Sequence, residues 1–404
     1  MKYDFLIIGA GIVGLSIAKE LIRKNASYNI ILIEKEASST QHGSGRNSGI
    51  IHAGFYYAKN SLKAKLTRDG NTELTQYCLD NNLKINRCGK LVVSQNETEI
   101  DNIYELAKRA KTNRVKVDIV DEQEAQEIEP SAKTNQVALY SPTTASADPV
   151  EVTQHIAKDL LNQHISIEYN VAYKSRISGN AIMCSDNQIY EANIIINAAG
   201  LYADKIAKDF GFSEKYVILP FKGLYLKYTR NDQPIKTNIY PVPNLENPFL
   251  GVHFTLTVQN EIKLGPTAIP AFWRENYQGF QNFKFDELMQ ILGLETKLFI
   301  KNNFNFRKLA LEEIKKYNRQ HLISLAENMV KNIEFDEFNK WAKPGIRAQL
   351  LNKETMELVQ DFIIESDSNS VHVLNAVSPA WTSCFPFARF IVQNHIFKNT
   401  TTHE

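Results

Sequence analysis

The stretch MKYDFLIIGAGIVGLSIAKELIRKNASYNIILIE, residues 1–34, decides the fold. Its apolar run over 5–8 predicts a buried strand, and apolar residues at helical spacing follow it. A second apolar run over 30–33 ends at Glu34. The order strand, glycine turn, helix, strand and acid predicts a βαβ unit that binds a dinucleotide.

Three glycines separate the first strand from the helix in the pattern Gly-x-Gly-x-x-Gly. Gly9 permits a tight turn, Gly11 lets backbone N–H groups approach a pyrophosphate, and Gly14 lets helix and strand pack closely. The helix N-terminus favours the anion. Glu34 follows the last glycine by about 20 residues, where a carboxylate binds a ribose hydroxyl. The whole unit favours this interpretation over a signal-peptide core at 5–18.

Composition narrows the function classes. The 404 residues, 43% hydrophobic and 23% charged, are typical of a globular protein of two or three domains. The formal net charge of +1 excludes nucleic acid as a general partner. Cys78, Cys88, Cys184 and Cys384 match no zinc spacing, so we expect free thiols and no metal. No run of about 18 apolar residues predicts a membrane span. We expect a cytoplasmic protein, and peripheral contact with the inner membrane stays open.

A glycine- and serine-rich loop, SSTQHGSGRNSGIIHAGFYY, occupies residues 38–57. Small residues beside Arg46, Asn47, Ser48 and His52 are typical of a ligand-lining segment, and a surface loop is the alternative. The part SGRNSGIIHAGFYY resembles the segment after the ribose acid in FAD-dependent oxidoreductases of the D-amino-acid oxidase/glycerol-3-phosphate dehydrogenase superfamily. It is most similar to the L-2-hydroxyglutarate oxidase or dehydrogenase family.

The resemblance extends to the middle of the chain. A predicted strand over 194–197 closes on Ala198-Ala199-Gly200, small residues that permit close approach to a ligand. In the resembled superfamily this segment lies against the FAD, which implies contacts from Ala199 and Gly200. Val171 matches the position whose backbone meets the adenine, and a core strand valine is the alternative.

Alternating stretches at 221–228 and 253–266 predict an antiparallel sheet with one wet face, a natural substrate platform. The segments at 241–257 and 264–277 are also similar to their counterparts in the 2-hydroxyglutarate family. The region 286–331 is predicted to be rich in helices with solvated charges.

The segment near the end predicts a second cofactor contact. Ser378 is expected to cap a helix, Pro379 suits its first turn, and the apolar pattern continues to Ile391. The resemblance places this helix N-terminus at the N1 and C2 edge of the flavin, which implies that Ser378, Pro379 and Ala380 bind the cofactor. Pro386 should kink or shorten the helix.

The implied fold is mixed α/β. It has a Rossmann-like FAD-binding domain, formed by 1–85 with 146–215 and 341–404. A second, mostly antiparallel substrate domain is formed by 86–145 with 216–340. A plain NAD dehydrogenase is the weaker interpretation, because the terminal segment resembles one that holds FAD along its whole length.

Oxidation of a 2-hydroxy acid needs a base for the hydroxyl proton and a flavin N5 that accepts hydride. His52 is the expected base, because imidazole titrates near neutral pH and the resemblance places its loop beside the isoalloxazine. His253, on the predicted platform, is the rival base. Either ring could instead serve only as a hydrogen-bond partner.

The substrate carboxylates need cationic anchors. Arg347 is the best candidate because a guanidinium binds a carboxylate bidentately, with a structural ion pair as the alternative. Lys222 reaches a distal carboxylate or stays at the surface. Tyr56 and Tyr57 donate hydroxyls or only pack.

The expected function is FAD-dependent oxidation of a 2-hydroxy dicarboxylate, L-2-hydroxyglutarate to 2-oxoglutarate, with electron delivery to oxygen or a quinone. An amino-acid or amine oxidase and a glycerol-3-phosphate dehydrogenase are the enzyme alternatives. A flavin-binding assembly subunit without turnover is the alternative from another class. The polar side chains retained at His52, Lys222, His253 and Arg347 argue against that last one.

Overall fold

The computed structural model describes residues 2–59, 61–243 and 251–398, so the family-like segment 241–257 lies partly outside the described residues. The strands are β1 Lys2–Ile8, β2 Ile30–Glu34, β3 Ile50–Ile51, β4 Ile85–Asn86, β5 Lys90–Val93, β6 Asp118–Asp121, β7 Val137–Ser141, β8 Ala145–Ala147, β9 Ser166–Tyr169, β10 Tyr173–Ser178, β11 Ala181–Cys184, β12 Ile189–Asn197, β13 Tyr216–Gly223, β14 Leu226–Lys227, β15 Asn238–Pro241, β16 His253–Leu256, β17 Ile262–Gly265, β18 Ile269–Pro270, β19 Lys340–Trp341, β20 Gly345–Asn352, β21 Glu357–Leu358, β22 Ile363–Ser366 and β23 Ser370–Asn375. The α-helices are α1 Ile12–Lys24, α2 Leu62–Asp80, α3 Ile100–Asn113, α4 Glu122–Ile128, α5 Pro149–Asn162, α6 Ala203–Asp209, α7 Phe285–Lys301, α8 Phe306–Lys315, α9 Arg319–Ser324 and α10 Cys384–Ile391.

The chain divides into two compact units. Unit 1 comprises Met1–Asn47, Pro149–Pro220 and Ile346–Glu404, and unit 2 comprises Ser48–Asp148 and Phe221–Gly345. The division differs from the predicted domains chiefly in residues 48–85, which lie in unit 2. The reason is that α2 packs on α3, β3 and β4. The Asn71 amide of α2 also donates to the carbonyls of Ile51 and Thr143.

Unit 1 has the predicted Rossmann-like core. Its eight-stranded sheet runs β10-β11-β12-β1-β2-β9, with β23 paired to β12 and β22 to β23. The neighbours β12, β1, β2 and β9 are parallel, and Phe5 of β1 stands opposite Ile30 on one side and Ile194 on the other. Phe5, Leu6, Ile7 and Ile8 are all buried, as expected for a central parallel strand covered on both faces. The predicted β1-α1-β2 unit is therefore confirmed.

The closing helix starts later than predicted. Residues 378–383 form turns, and α10 begins at Cys384 with Ser383 in the N-cap position. Ser378 therefore does not cap the helix, and that prediction is wrong. Of the two effects expected of Pro386, shortening agrees with the structure: α10 begins at Cys384, and Pro386 lies in its first turn, where its missing N–H has no intrahelical partner to lose.

Unit 2 contains the predicted, mostly antiparallel sheet. Its eight strands run β19-β14-β17-β16-β15-β5-β7-β6, and only the β15–β5 pair is parallel among the pairings that the structure describes. The predicted stretch 221–228 is split between β13 and β14, which lie in different sheets. The ladder stops there because the Leu224 N–H donates to the Thr267 hydroxyl instead, at 3.0 Å.

Opposite faces of this sheet carry different cores. Leu91 and Phe254 belong to one apolar cluster, whereas Val92 and Tyr240 belong to another. Alternation along the strands therefore places Lys90 on the same face as Val92. In the described ranges, no helix combines the length and apolarity that crossing a bilayer requires.

Candidate functional site

In the glycine turn of unit 1, backbone atoms pack so closely that side chains do not fit at Gly9 and Gly14. Gly9 has a φ of 101°, which a residue with a side chain rarely adopts. A Cβ on Gly14 would lie 2.0 Å from the Gly9 carbonyl oxygen, so helix α1 can begin there only if residue 14 is glycine. These contacts match the predicted reasons for both glycines.

The start of α1 is completed by a residue that sequence reasoning missed. Ser44 Oγ accepts a hydrogen bond from the Ile12 N–H at 2.9 Å, and a Cβ on Gly11 would approach this oxygen to 2.8 Å. Gly11 itself provides no side-chain cap. Ser44 belongs to the glycine- and serine-rich loop at 38–57, but 32 residues separate it from Ile12 and no spacing rule connects them.

The acid at the end of β2 is held in place by backbone donors. Glu34 Oε2 accepts from the Ala10 N–H at 3.0 Å, and Oε1 accepts from the Glu36 N–H at 3.0 Å. Burial raises the pKa of Glu34, and these two backbone hydrogen bonds oppose the rise. The carboxylate is thus fixed beside the glycine turn, with further lone pairs for hydroxyl donors.

The end of β12 reaches the same edge of the sheet. A Cβ on Gly9 would lie 2.7 Å from the Ala198 carbonyl oxygen, and the Ala199 N–H donates to Asn197 Oδ1 at 3.2 Å. Gly200 follows with a φ of 53°. The Val171 N–H donates to the Glu34 carbonyl at 2.9 Å. The structure therefore brings four predicted cofactor segments together, around Gly9, Glu34, Val171 and Ala199.

Three other predicted cofactor residues form side-chain hydrogen bonds with the backbone of their own loop. Arg46 Nε donates to the Gln41 carbonyl at 2.6 Å, and the Asn47 amide donates to two carbonyls of its own loop. Ser48 Oγ accepts from the Ile50 N–H at 3.4 Å. Contacts of these side chains with a cofactor stay a prediction.

The terminal segment is a compact turn before α10. The Ser383 N–H donates to the Pro379 carbonyl at 3.0 Å, and Ala380 is buried. Helix α10 packs on α1, so the two ends of the chain meet within unit 1. Cofactor contacts from Ser378, Pro379 and Ala380 stay a prediction, now without a helix N-terminus at Ser378.

Unit 1 fits a dinucleotide. A helix start without a Gly11 side chain leaves room for a pyrophosphate, and the half-buried Glu34 carboxylate has lone pairs suited to ribose hydroxyls. A Cβ added at Gly9, Gly11 or Gly14 would lie within 3 Å of a neighbouring atom, so this turn has no space for side chains at these positions. The residues present therefore suit FAD.

Unit 2 holds a cluster of three basic side chains around one tyrosine. Lys90 Nζ lies 4.0 Å from the ring centroid of Tyr240 and 3.5 Å from His52 Nδ1. His253 stacks on the Tyr240 ring with centroids 3.7 Å apart and planes inclined by 15°. The two predicted bases therefore lie in one cluster, and Lys90 is a member that sequence reasoning missed.

His253 has a defined hydrogen-bond direction. Its ring is buried, and Nδ1 lies 2.7 Å from the Gly251 carbonyl oxygen. Because a carbonyl can only accept, Nδ1 carries the proton. The neutral ring then has its lone pair on Nε2, the atom that can accept a proton.

The tyrosines near this cluster are uncharged. Tyr56 stacks on Phe55 with centroids 4.2 Å apart, and its buried hydroxyl has no hydrogen-bond partner in the described residues. Burial raises the pKa of Tyr56 and of Tyr240 well above the usual range. The Tyr56 hydroxyl therefore keeps its proton and could donate it in a hydrogen bond to a bound ligand.

The two predicted carboxylate anchors lie in different units. Lys222, near the end of β13 in unit 2, is buried and donates to Asn276 Oδ1 at 3.1 Å. Burial lowers the pKa of Lys222. Arg347 lies on β20 in unit 1 and is half-buried. A surface position for Lys222, the alternative considered from sequence, is wrong.

Comparison with known proteins adds three findings. The family described as FAD dependent oxidoreductase matches residues 4–394. The chain is 31% identical to L-2-hydroxyglutarate dehydrogenase of Escherichia coli strain K12, over 96% of this chain and 92% of that protein. It is 33% identical to the mitochondrial L-2-hydroxyglutarate dehydrogenase of Dictyostelium discoideum, over 98% of this chain and 94% of that one.

Solved structures share the fold. Dithionite-reduced L-alpha-glycerophosphate oxidase from Mycoplasma pneumoniae with FAD bound matches with a TM-score of 0.74 and 21% identity, over 97% of this chain and 94% of that one. Glycine oxidase from Geobacillus kaustophilus matches with a TM-score of 0.68 and 14% identity, over 98% and 95%.

Proposed function

The chain belongs to the FAD-dependent oxidoreductase family and, within it, to the L-2-hydroxyglutarate dehydrogenases, and on this premise we propose that it oxidises L-2-hydroxyglutarate to 2-oxoglutarate. The observation that carries the proposal is similarity above 30% over nearly the whole chain to relatives that bear this name. The glycine turn and fixed Glu34 carboxylate of unit 1 support FAD as the cofactor.

The reaction removes two electrons and two protons from the substrate. Bound FAD would accept the C2 hydrogen as a hydride at N5. The hydroxyl proton must pass to a base of the chain. His253 has the geometry for this role, because its Nδ1–H is committed to the Gly251 carbonyl and Nε2 can accept. His52 is the second candidate.

A dicarboxylate needs two anchors. Arg347 suits the carboxylate next to the reacting carbon, because its fork of donors fixes orientation as well as charge. Lys222 suits the distal carboxylate, since a buried ammonium gains most from an anionic partner. The Tyr56 hydroxyl, which has no hydrogen-bond partner among the described residues, is a third donor for the same substrate.

Electrons leave to oxygen, which becomes hydrogen peroxide, or to a quinone, which becomes a quinol. An exposed apolar surface in unit 2 supports peripheral membrane contact and hence the quinone. Helix α7 exposes four apolar side chains, Phe285, Met289, Leu292 and Ile300. Helices that lie on a membrane surface bury apolar side chains of this kind in the lipid. Replacing Phe285 and Ile300 by serine should reduce co-sedimentation with lipid vesicles, whereas replacing the exposed Ile189 should not.

Anaerobic flavin bleaching tests the proposed function. L-2-hydroxyglutarate should bleach the flavin absorbance band, and L-amino acids, amines and glycerol 3-phosphate should not. Bleaching by an amine or by glycerol 3-phosphate would assign one of the alternative activities instead. A yellow protein that no candidate bleaches would indicate the flavin-binding assembly subunit.

A further inference from the structure

Lys90 is a buried lysine for which the proposed reaction has no role so far. It begins β5 and is fully buried, on the face of the sheet that also carries Tyr240. Its Nζ lies 4.0, 5.0 and 5.8 Å from the ring centroids of Tyr240, Tyr56 and Phe55. Three aromatic rings therefore form a cage around the amine, a setting that attracts a cation through the ring quadrupoles.

In the described part of the chain, no carboxylate forms an ion pair with Lys90, and burial lowers the pKa of its amine to about 7. A methionine of similar length would fill the same space without the cost of burying an amine. Packing alone therefore does not explain a lysine at this position.

The polar neighbour of the amine is the histidine first expected as the base. Nζ lies 3.5 Å from His52 Nδ1. An ammonium only donates, so the nitrogen that faces it must be unprotonated. The proton of a neutral His52 ring then lies on Nε2.

We propose that Lys90 is a positioning residue that selects the tautomer of His52, keeping the proton on Nε2 while the amine is charged. His52 in this state donates a hydrogen bond from Nε2 and cannot accept the substrate proton there. The role of base accordingly falls to His253, whose Nδ1 proton is held by the Gly251 carbonyl. The roles of His52 as donor and His253 as base rest on the proposed function, whereas the tautomer of His52 does not.

The described groups around the amine that can change charge come from several elements. His52 and Tyr56 face it from the segment after β3, Tyr240 from β15, and Cys88 from the turn before β5. Burial raises the pKa of Tyr56, of Tyr240 and of the Cys88 thiol, so all three are neutral near pH 7. The β7 residue opposite Lys90 is Ser141, which does not titrate. Of this cluster, Lys90, His52 and His253 are therefore the groups left to change charge near neutral pH, and His253 faces the cage from β16, stacked on Tyr240.

The test is nitrogen-15 NMR of the holoenzyme with labelled histidine, with the His52 signals assigned by their loss in His52→Gln. At pH 6 the His52 ring should be neutral with its proton on Nε2. In Lys90→Met the selection is lost, and the Nδ1–H form should become populated. Lys227, a half-buried lysine of β14 that pairs with Glu261, offers a control: Lys227→Met should leave the His52 signals unchanged.

An Nδ1–H or doubly protonated His52 in the wild-type enzyme at pH 6 would overturn the proposal, and so would unaltered His52 signals in Lys90→Met. If Lys90→Met does not fold, the wild-type measurement at pH 6 still decides. The NMR measurement needs no turnover. Failure of L-2-hydroxyglutarate to bleach the flavin would therefore reject the proposed function and leave the conclusion about the His52 tautomer unaffected. With turnover at pH 6, where the amine is charged, Lys90→Met should lower kcat/KM about tenfold or more while the flavin is retained.

Discussion

The Glu34 carboxylate accepts a hydrogen bond from the Ala10 backbone N–H at 3.0 Å, across the turn that the first glycines form. One side chain therefore ties the end of β2 to the end of β1 and fixes its own orientation. Because the half-buried carboxylate lies next to the helix start, its removal should weaken cofactor binding more than it destabilises the fold.

Glu34→Gln should weaken FAD binding about tenfold, because a neutral amide accepts ribose hydroxyls less strongly than a carboxylate. The measurement is the FAD dissociation constant by flavin fluorescence on titration of the apoprotein. Glu168 lies exposed on the adjacent strand β9, and Glu168→Gln should leave the constant unchanged. Equal constants for Glu34→Gln and the wild type would remove the carboxylate from the ribose site.

Gly14→Ala should give a protein that is purified without flavin and is destabilised by about 1–3 kcal/mol. The added Cβ would lie 2.0 Å from the Gly9 carbonyl oxygen, so helix and strand must separate. Gly43→Ala is the matched control, because a Cβ there meets nothing within 4 Å. Flavin content and urea unfolding of both variants give the comparison, and a yellow, stable Gly14→Ala protein would contradict the geometry of the turn.

His253→Gln should reduce kcat about 10²–10⁴-fold, the usual contribution of a general base, with KM and flavin content little changed. Stopped-flow flavin reduction by L-2-hydroxyglutarate measures the step directly. His164, an exposed histidine of unit 1, provides the control variant His164→Gln. A greater loss of flavin reduction in His52→Gln than in His253→Gln would return the role of base to His52.

Lys222→Met and Arg347→Met should separate the two carboxylate anchors. Loss of the distal anchor should lower kcat/KM about 10-fold or more for L-2-hydroxyglutarate but little for L-2-hydroxybutyrate, which has no distal carboxylate. Loss of Arg347 should lower kcat/KM for both substrates, because both have the carboxylate next to the reacting carbon. The ratio of the two kcat/KM values in each variant is the measurement. An unchanged ratio in Lys222→Met would leave Lys222 with Asn276 as a structural pair.

Local patterns were sufficient to predict the nucleotide unit. The glycines, the helix period and the acid lie within 34 consecutive residues, and the contacts they make in the structure are mostly with one another. The start of α10 was not predictable in the same way, because the apolar pattern begins directly after Ser378 and Pro379, whereas the helix begins only after Ser383, within that pattern. In the structure, residues 378–383 form turns, and Ser383 is the N-cap residue.

Lys90 was missed for a physical reason. A lysine beside a strand normally indicates a solvated end, and nothing in its immediate sequence indicates burial. Its aromatic neighbours Tyr56 and Tyr240 are distant along the chain and meet it only when the sheet and the loop after β3 assemble. Burial of an amine among side chains from distant segments is a tertiary property, so local sequence does not reveal this part of the candidate site.

Lys90→Met should also change how stability depends on pH. In the folded protein the pKa of Lys90 is lowered from 10.5 to about 7, so between these values the unfolded chain holds a proton that the folded chain has released. Unfolding then takes up a proton, and the free energy of unfolding rises with pH through this window. Between pH 7 and 9 the contribution is about 2 kcal/mol.

Methionine at this position removes the proton and hence the slope. Urea unfolding from pH 6 to 9 should show Lys90→Met gaining stability relative to the wild type at low pH and losing that advantage as the pH rises. Lys227→Met, whose amine is paired with Glu261 at the surface, should follow the wild-type curve. Parallel curves for Lys90→Met and the wild type would mean that the buried amine keeps its proton throughout this range, and the cage would then hold a permanent cation beside His52.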